Sequence, residues 1–104
     1  MSNKTKKIYN VIFEVIEEIN SQLSDELQLK KSEKTVLFGR DGNLDSLGLV
    51  NLLVAIEQNI EVVFDVNITI ADERAMSQKH NPFGTVGSLA DYIMVLLDEN
   101  INGF

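Results

Sequence analysis

Few residues of this chain could take part in chemistry, and they gather at one place. Asp45 and Ser46 stand between a turn-rich stretch, Gly42-Asn43-Leu44, and a long apolar run that begins at Leu47. A helix N-cap belongs at such a junction, because a short side-chain oxygen can accept from the first backbone N–H groups, which lack partners within the helix. Any anion attached to Ser46 would face those donors and the positive end of the helix dipole. A hydrolase reading of Ser46 fails, since no Gly-x-Ser-x-Gly elbow surrounds it. Asp41-x-Asn43-x-Asp45 imitates the opening of a calcium loop, which needs oxygen ligands at alternating positions. The imitation stops at Ser46 in the sixth position and Leu52 in the twelfth, where glycine and a bidentate glutamate are required. His80, the sole histidine, lies in a polar loop and has no cysteine to work with. Neither a metal site nor a catalytic residue is expected.

The elements that must position Asp45 and Ser46 follow from periodicity. Ile8, Val11, Ile12, Val15, Ile16, Ile19 and Leu23 recur at helical spacing, with Glu14, Glu17, Glu18 and Asn20 mostly opposite, which predicts an amphipathic first helix of roughly four turns. From Ser24 to Leu44 the period fails, so a long loop is expected, with Leu27, Leu29, Val36, Leu37 and Phe38 tucked against the helices. A second helix should run from Ser46 to near Val63 with Leu49, Leu52, Leu53, Ile56 and Ile60 inward. No glycine or proline stops it between Leu49 and Val66. Gly48 falls in its first turn and costs up to ~1 kcal/mol against alanine. Val62 to Ile70, where β-branched and polar residues alternate, reads as the helix end followed by an extended loop, and Ala71 to Gln78 as a short third helix. Lys79 to Gly84 is a loop, because Pro82 bars a continuing helix. Thr85 should cap a last helix with Val86, Leu89, Tyr92, Ile93, Leu96 and Leu97 inward, fraying from Asn100 to Phe104. The expected fold is all-α: a single domain over residues 1–104, built as a small bundle of three principal helices plus one short helix, with the long loop between the first two.

Composition narrows the function classes. The chain has no cysteine, so it can form no disulfide, thiolate metal site or cysteine nucleophile. Net charge is −7 and uneven: residues 1–40 hold 7 Lys and Arg against 6 Asp and Glu, residues 41–104 hold 2 against 10. An acidic functional half disfavours nucleic acid and suits partners with basic docking patches. Lys4, Lys6 and Lys7 precede an apolar run, but Glu14, Glu17 and Glu18 break it before a signal-peptide core could form. No segment is expected to reach the ~20 apolar residues of a membrane span. A cytoplasmic monomer is the expectation.

Asp45-Ser46-Leu47 at the head of an apolar helix resembles the modification site of acyl carrier proteins. Leu52 to Glu57, Phe64-Asp65-Val66-Asn67-Ile68 and Thr85 to Ile93 resemble that family's later segments in the right order. The resemblance implies that a separate magnesium-dependent phosphopantetheinyl transferase joins phosphopantetheine to Ser46. Acyl groups would then ride as thioesters on the arm's thiol and be presented to acyl-transferring and acyl-processing enzymes of fatty-acid, lipid or polyketide biosynthesis. It implies partner-facing roles for Asp45, Leu47, Val50 and Glu57, and an apolar shelter between the helices. Where carriers of fatty-acid synthesis place acids after the serine, this chain has Gly48 and Asn51, and Gln58 and Asn59 follow Glu57. That pattern points to a specialised pathway, for example an unusual lipid, a polyketide or an aminoacyl (peptidyl) carrier. The alternative from another class is a helical protein-interaction adaptor in which Ser46 only caps a helix.

Overall fold

A computed structural model describes residues 3–38, 44–70 and 82–102, with the backbone alone at Leu27, Ser46 and 100–102. Among these residues three α-helices make up the regular structure: α1 (Asn3–Asn20), α2 (Ser46–Phe64) and α3 (Val86–Asn102). The all-helical bundle read from periodicity is therefore present among the described residues. The short helix expected at Ala71–Gln78 lies outside them, as do His80, Asp41 and Asn43.

α1 lies at the centre and packs against both α2 and α3. Its face of Ile8, Val11, Ile12, Val15 and Ile16 is buried, each side chain contributing about 1.5–3 kcal/mol of transfer free energy. Packing must hold this helix, because its charges oppose its dipole. Lys4, Lys6 and Lys7 crowd the positive end, Glu17 and Glu18 the negative end, and neither terminal turn carries a compensating charge. Lys4 is relieved by an ion pair with Asp98 on α3. The helix ends at Asn20, one turn short of Leu23, since Gln22 and Leu23 donate to the carbonyls of Ile19 and Asn20 and tighten the last turn into a three-residue spacing.

The connection after α1 is more ordered than a plain loop. A short 3-10 turn occupies Asp25–Leu27, and Asn20 then holds Leu29 twice: its Nδ2 donates to the Leu29 carbonyl at 2.8 Å and its Oδ1 accepts from the Leu29 N–H at 2.7 Å. Val36 pairs with Thr85 in a single antiparallel bridge. Leu29 and Leu37 are buried as expected, whereas Val36 and Phe38 are half-buried. Gly87 approaches this strap so closely that a Cβ there would lie 3.1 Å from the Glu33 carbonyl oxygen, which accepts the Gly87 N–H at 2.8 Å.

α2 runs one residue beyond Val63. Asp65 stops it in the left-handed region at φ 55°, its N–H donating to the Glu61 carbonyl at 2.9 Å. Aspartate tolerates that conformation better than most side chains, so no glycine was needed to end the helix. Ile68 and Ile70 of the following segment are buried, and the Ile70 N–H donates to the Glu57 carboxylate. α3 opens on Thr85, whose Oγ1 accepts from the Ser88 N–H at 3.1 Å while Ser88 Oγ accepts from the Thr85 N–H, a reciprocal cap with serine in the usual glutamate place. Val86, Leu89, Ile93 and Leu97 are buried. Tyr92 and Leu96 are only half-buried, and α3 stays helical through Asn102 where fraying from Asn100 was expected.

The radius of gyration is 13.1 Å, close to the ~13 Å of a folded 100-residue domain. Leu47–Phe64 is long and apolar enough by composition to cross a membrane, with mean hydropathy 1.5 over 18 residues, contrary to the expectation that no segment reaches that mark. The physical reason is that α2 is apolar on both faces. Leu49, Leu52, Leu53, Ile56 and Ile60 line the core with no exposure, while Leu47, Val54, Val62 and Val63 lie outside it.

Tyr9 on α1 offers a test of the strap. Burial, reinforced by the carboxylates of Glu33 and Asp91 and by a hydrogen bond to Glu33, raises the Tyr9 pKa above its ordinary 10.0. A group raised on folding contributes stability that is complete below the unfolded pKa and lost as pH climbs through the folded one. The phenolate absorbance step removed by Tyr9→Phe should therefore lie above pH 10 in the folded protein and move down to about 10 in denaturant.

Candidate functional site

The N-terminus of α2 is held by two short connections. Leu37 donates its N–H to the Gly84 carbonyl at 2.8 Å and accepts the Leu44 N–H at 3.3 Å, so one buried residue ties the entrance of α3 to the residue before Asp45. Leu44 is itself 8% exposed, an anchor in the core. From that anchor the chain turns into α2 with Asp45 extended at φ −81°, ψ −179°.

Asp45, and not Ser46, is the N-cap. Its Oδ1 accepts from the Gly48 N–H at 2.7 Å, and its carbonyl accepts from the Leu49 N–H at 2.9 Å. Ser46 is the first helical residue, one place further on than a cap. A cap at Ser46, as the adaptor alternative supposes, is thus replaced by one at Asp45. Asp45 is exposed, Leu47 is 69% exposed beside it, and Val50 is half-buried one turn further.

No family model, curated protein or solved structure matches this chain. The site must be read from its own geometry.

Gly48 acquires a definite role in that geometry. A Cβ at this position would meet Asp45 Oδ1 at 3.1 Å and Leu44 Cδ2 at 3.4 Å. The capping carboxylate therefore leans over the space that a side chain would fill. Alanine at 48 gains up to ~1 kcal/mol of helix propensity, but must displace the carboxylate that holds the same residue's N–H. We expect Gly48→Ala to stabilise the protein by clearly less than that amount in the native background and by more in an Asp45→Ala background. A thermodynamic cycle by urea unfolding reads the coupling.

Glu57, expected to face a partner, also makes a contact within the fold. It is half-buried, and its carboxylate holds the Ile70 N–H, which seats the segment after α2. Its acidity thus serves the fold as well as the surface. The outward face of α2 carries Leu47, Val50, Asn51, Val54, Gln58, Glu61 and Val62, so Glu61 is its one fully exposed charge. Among the described residues no group of three or more His, Cys, Asp or Glu could hold a metal ion. The sequence left the cap open between Asp45 and Ser46, and the structure gives it to Asp45. The signal was in Gly48, three residues after the cap, where a glycine lets the carboxylate close over the N–H without shifting.

Proposed function

We propose that the chain is a carrier protein whose Ser46 receives phosphopantetheine and which presents acyl groups to other enzymes. The observation that carries this reading is the capping role of Asp45. It removes the structural explanation for a serine at the head of α2 and fixes that serine at the positive end of a 19-residue helix. Nothing in the first turn conflicts with such a group. Asp45 occupies the N–H of Gly48, while the amides of Ser46 and Leu47 precede the first intrahelical bond and favour a phosphodiester anion by about 0.3–1 kcal/mol. Leu47 and Val50 offer apolar contact along the attached group. The group would supply the thiol that the chain lacks.

In this reading the chain's own residues do no bond-breaking. Asp45 fixes the start of α2 and gives the transferase an exposed carboxylate beside the acceptor serine. Leu44, held by Leu37, keeps that start from shifting when a partner docks. The outward face of α2 then meets the partner chiefly through Leu47, Val54 and Val62, with Glu61 as its exposed acid. A basic docking patch would find little charge there, so association should depend only weakly on salt. This favours a specialised partner over the enzymes of ordinary fatty-acid synthesis.

Intact mass after co-expression with a broad-range phosphopantetheinyl transferase tests the carrier reading. An adaptor would use the same apolar face and gain no mass. Partner preference is tested by restoring acids. Gly48 is a poor place for one, because an aspartate there would set a second carboxylate against that of Asp45. Asn51 and Gln58 are exposed, so Asn51→Glu with Gln58→Glu should speed elongation by a standard synthase system at low salt, with the gain shrinking as salt rises. An unchanged rate, or a gain indifferent to salt, would count against electrostatic exclusion of such partners.

A further inference from the structure

Away from Ser46, the structure holds an open groove of about 350 Å³ between the flank of α1 and the strap that follows it. Its floor is aromatic. Tyr9 and Phe13, one turn apart on α1, set their rings 5.8 Å apart and tilted by 40°. The far wall is the strap segment Lys31 to Glu33.

That wall is held in place by contacts on either side of the groove. Asn20 grips Leu29 through two hydrogen bonds, Lys31 pairs with Glu17 at 3.1 Å, and the Glu33 carbonyl accepts from Gly87 of α3. The Glu33 carboxylate, which also lines the groove, acts on the Tyr9 hydroxyl and raises its pKa. The opening is thus built into the fold, and a ligand entering it need not separate the walls.

The charge at the groove is asymmetric: the carboxylates of Glu33 and Asp91 bear on Tyr9, so an acidic group can settle only at the end away from them. Lys31 is neutralised by Glu17 at one end. Lys6 lines the other end, is exposed, and has no ion-pair partner among the described residues. It also sits in the early turns of a helix whose dipole repels it. An anion beside Lys6 would offset both the missing partner and that repulsion. The volume is at the small end of ligand pockets, which run from roughly 300 to 1,000 Å³.

We propose that this groove binds a small amphiphilic anion, its apolar body over Tyr9 and Phe13 and its acidic group at Lys6. The site is separate from Ser46, and the assignment does not rest on the carrier reading. It is tested on the full, unmodified chain by following backbone amides during titration with octanoate and, in parallel, with 1-octanol. Octanoate should give saturable shifts at residues 6–13 and 31–33, and octanol should bind markedly more weakly. Lys6→Gln, an exposed substitution that leaves the rings intact, should weaken octanoate about threefold and leave octanol unchanged. Equal binding of the two probes, or octanoate binding indifferent to Lys6→Gln, would overturn the assignment. So would shifts centred on Leu49, Leu52, Ile56 and Ile60, which would place the chain in the bundle core, or no saturable response at millimolar probe.

Discussion

Ser46→Ala should remove the phosphopantetheine mass gain completely and leave the fold almost untouched. Both halves follow from the division of labour at the head of α2. The acceptor hydroxyl has no substitute in the Asp45-Ser46-Leu47 stretch, so modification should fall to zero by intact mass. The cap, however, belongs to Asp45, whose Oδ1 holds the Gly48 N–H. The alanine variant should therefore unfold within about 0.5 kcal/mol of the parent. Asp45→Ala should show the complementary pattern, a loss near 1 kcal/mol from the missing cap. Mass gain persisting in Ser46→Ala, or found on another residue, would end the carrier proposal. A stability loss of 1 kcal/mol or more in Ser46→Ala would return the capping role to the serine.

The largest stability effect should come from a residue in an apparent loop. Phe83 follows Pro82 and precedes Gly84, yet it has no exposure and stands edge-on to Tyr92, with ring centroids 5.9 Å apart and planes at 76°. Truncating a fully buried phenylalanine to alanine costs about 3–5 kcal/mol through lost transfer free energy and the cavity left behind, and the edge-to-face pair belongs within that figure. A domain of this size holds about 5–15 kcal/mol in all. Phe83→Ala should therefore lower the urea midpoint by roughly 2 M for a slope near 2 kcal/mol/M. A shift below about 0.5 M would mean that the neighbouring side chains close over the cavity.

The contrast between Phe83 and the helices shows where the sequence was legible. α1, α2 and α3 carry long runs at helical spacing, and their inward faces coincide with the buried residues almost position for position. The end of α2 near Val63 was readable because nothing before Asp65 breaks the helix. Phe83 was not readable as core, because it is a single apolar residue in a non-periodic stretch; Ile68 and Ile70 alternate with polar residues, but a short extended segment without a strand partner gives no sign of what covers it. The bridge between Val36 and Thr85 was hidden for the same reason: two residues give no alternating pattern. At the site, Ser46 stood out by its neighbours, whereas the separate roles of Asp45 and Gly48 required a measured 3.1 Å approach to recognise.

The double use of Leu37 has a consequence in time. Its bonds to Gly84 and Leu44 join the strap to the entrance of α3, 47 positions further along the chain from Leu37. Closing a loop of that length costs roughly 3 kcal/mol of chain entropy before any contact rewards it. α1 and α2 can gather their apolar faces without that closure, but the anchor beneath Asp45 stays incomplete until Pro82 to Val86 have docked. On the ribosome those residues emerge after the serine does. The Asp45 end of α2 thus cannot be finished before the entrance of α3 has docked, and on the carrier proposal a transferase that demands its settled geometry would pass over half-made chains.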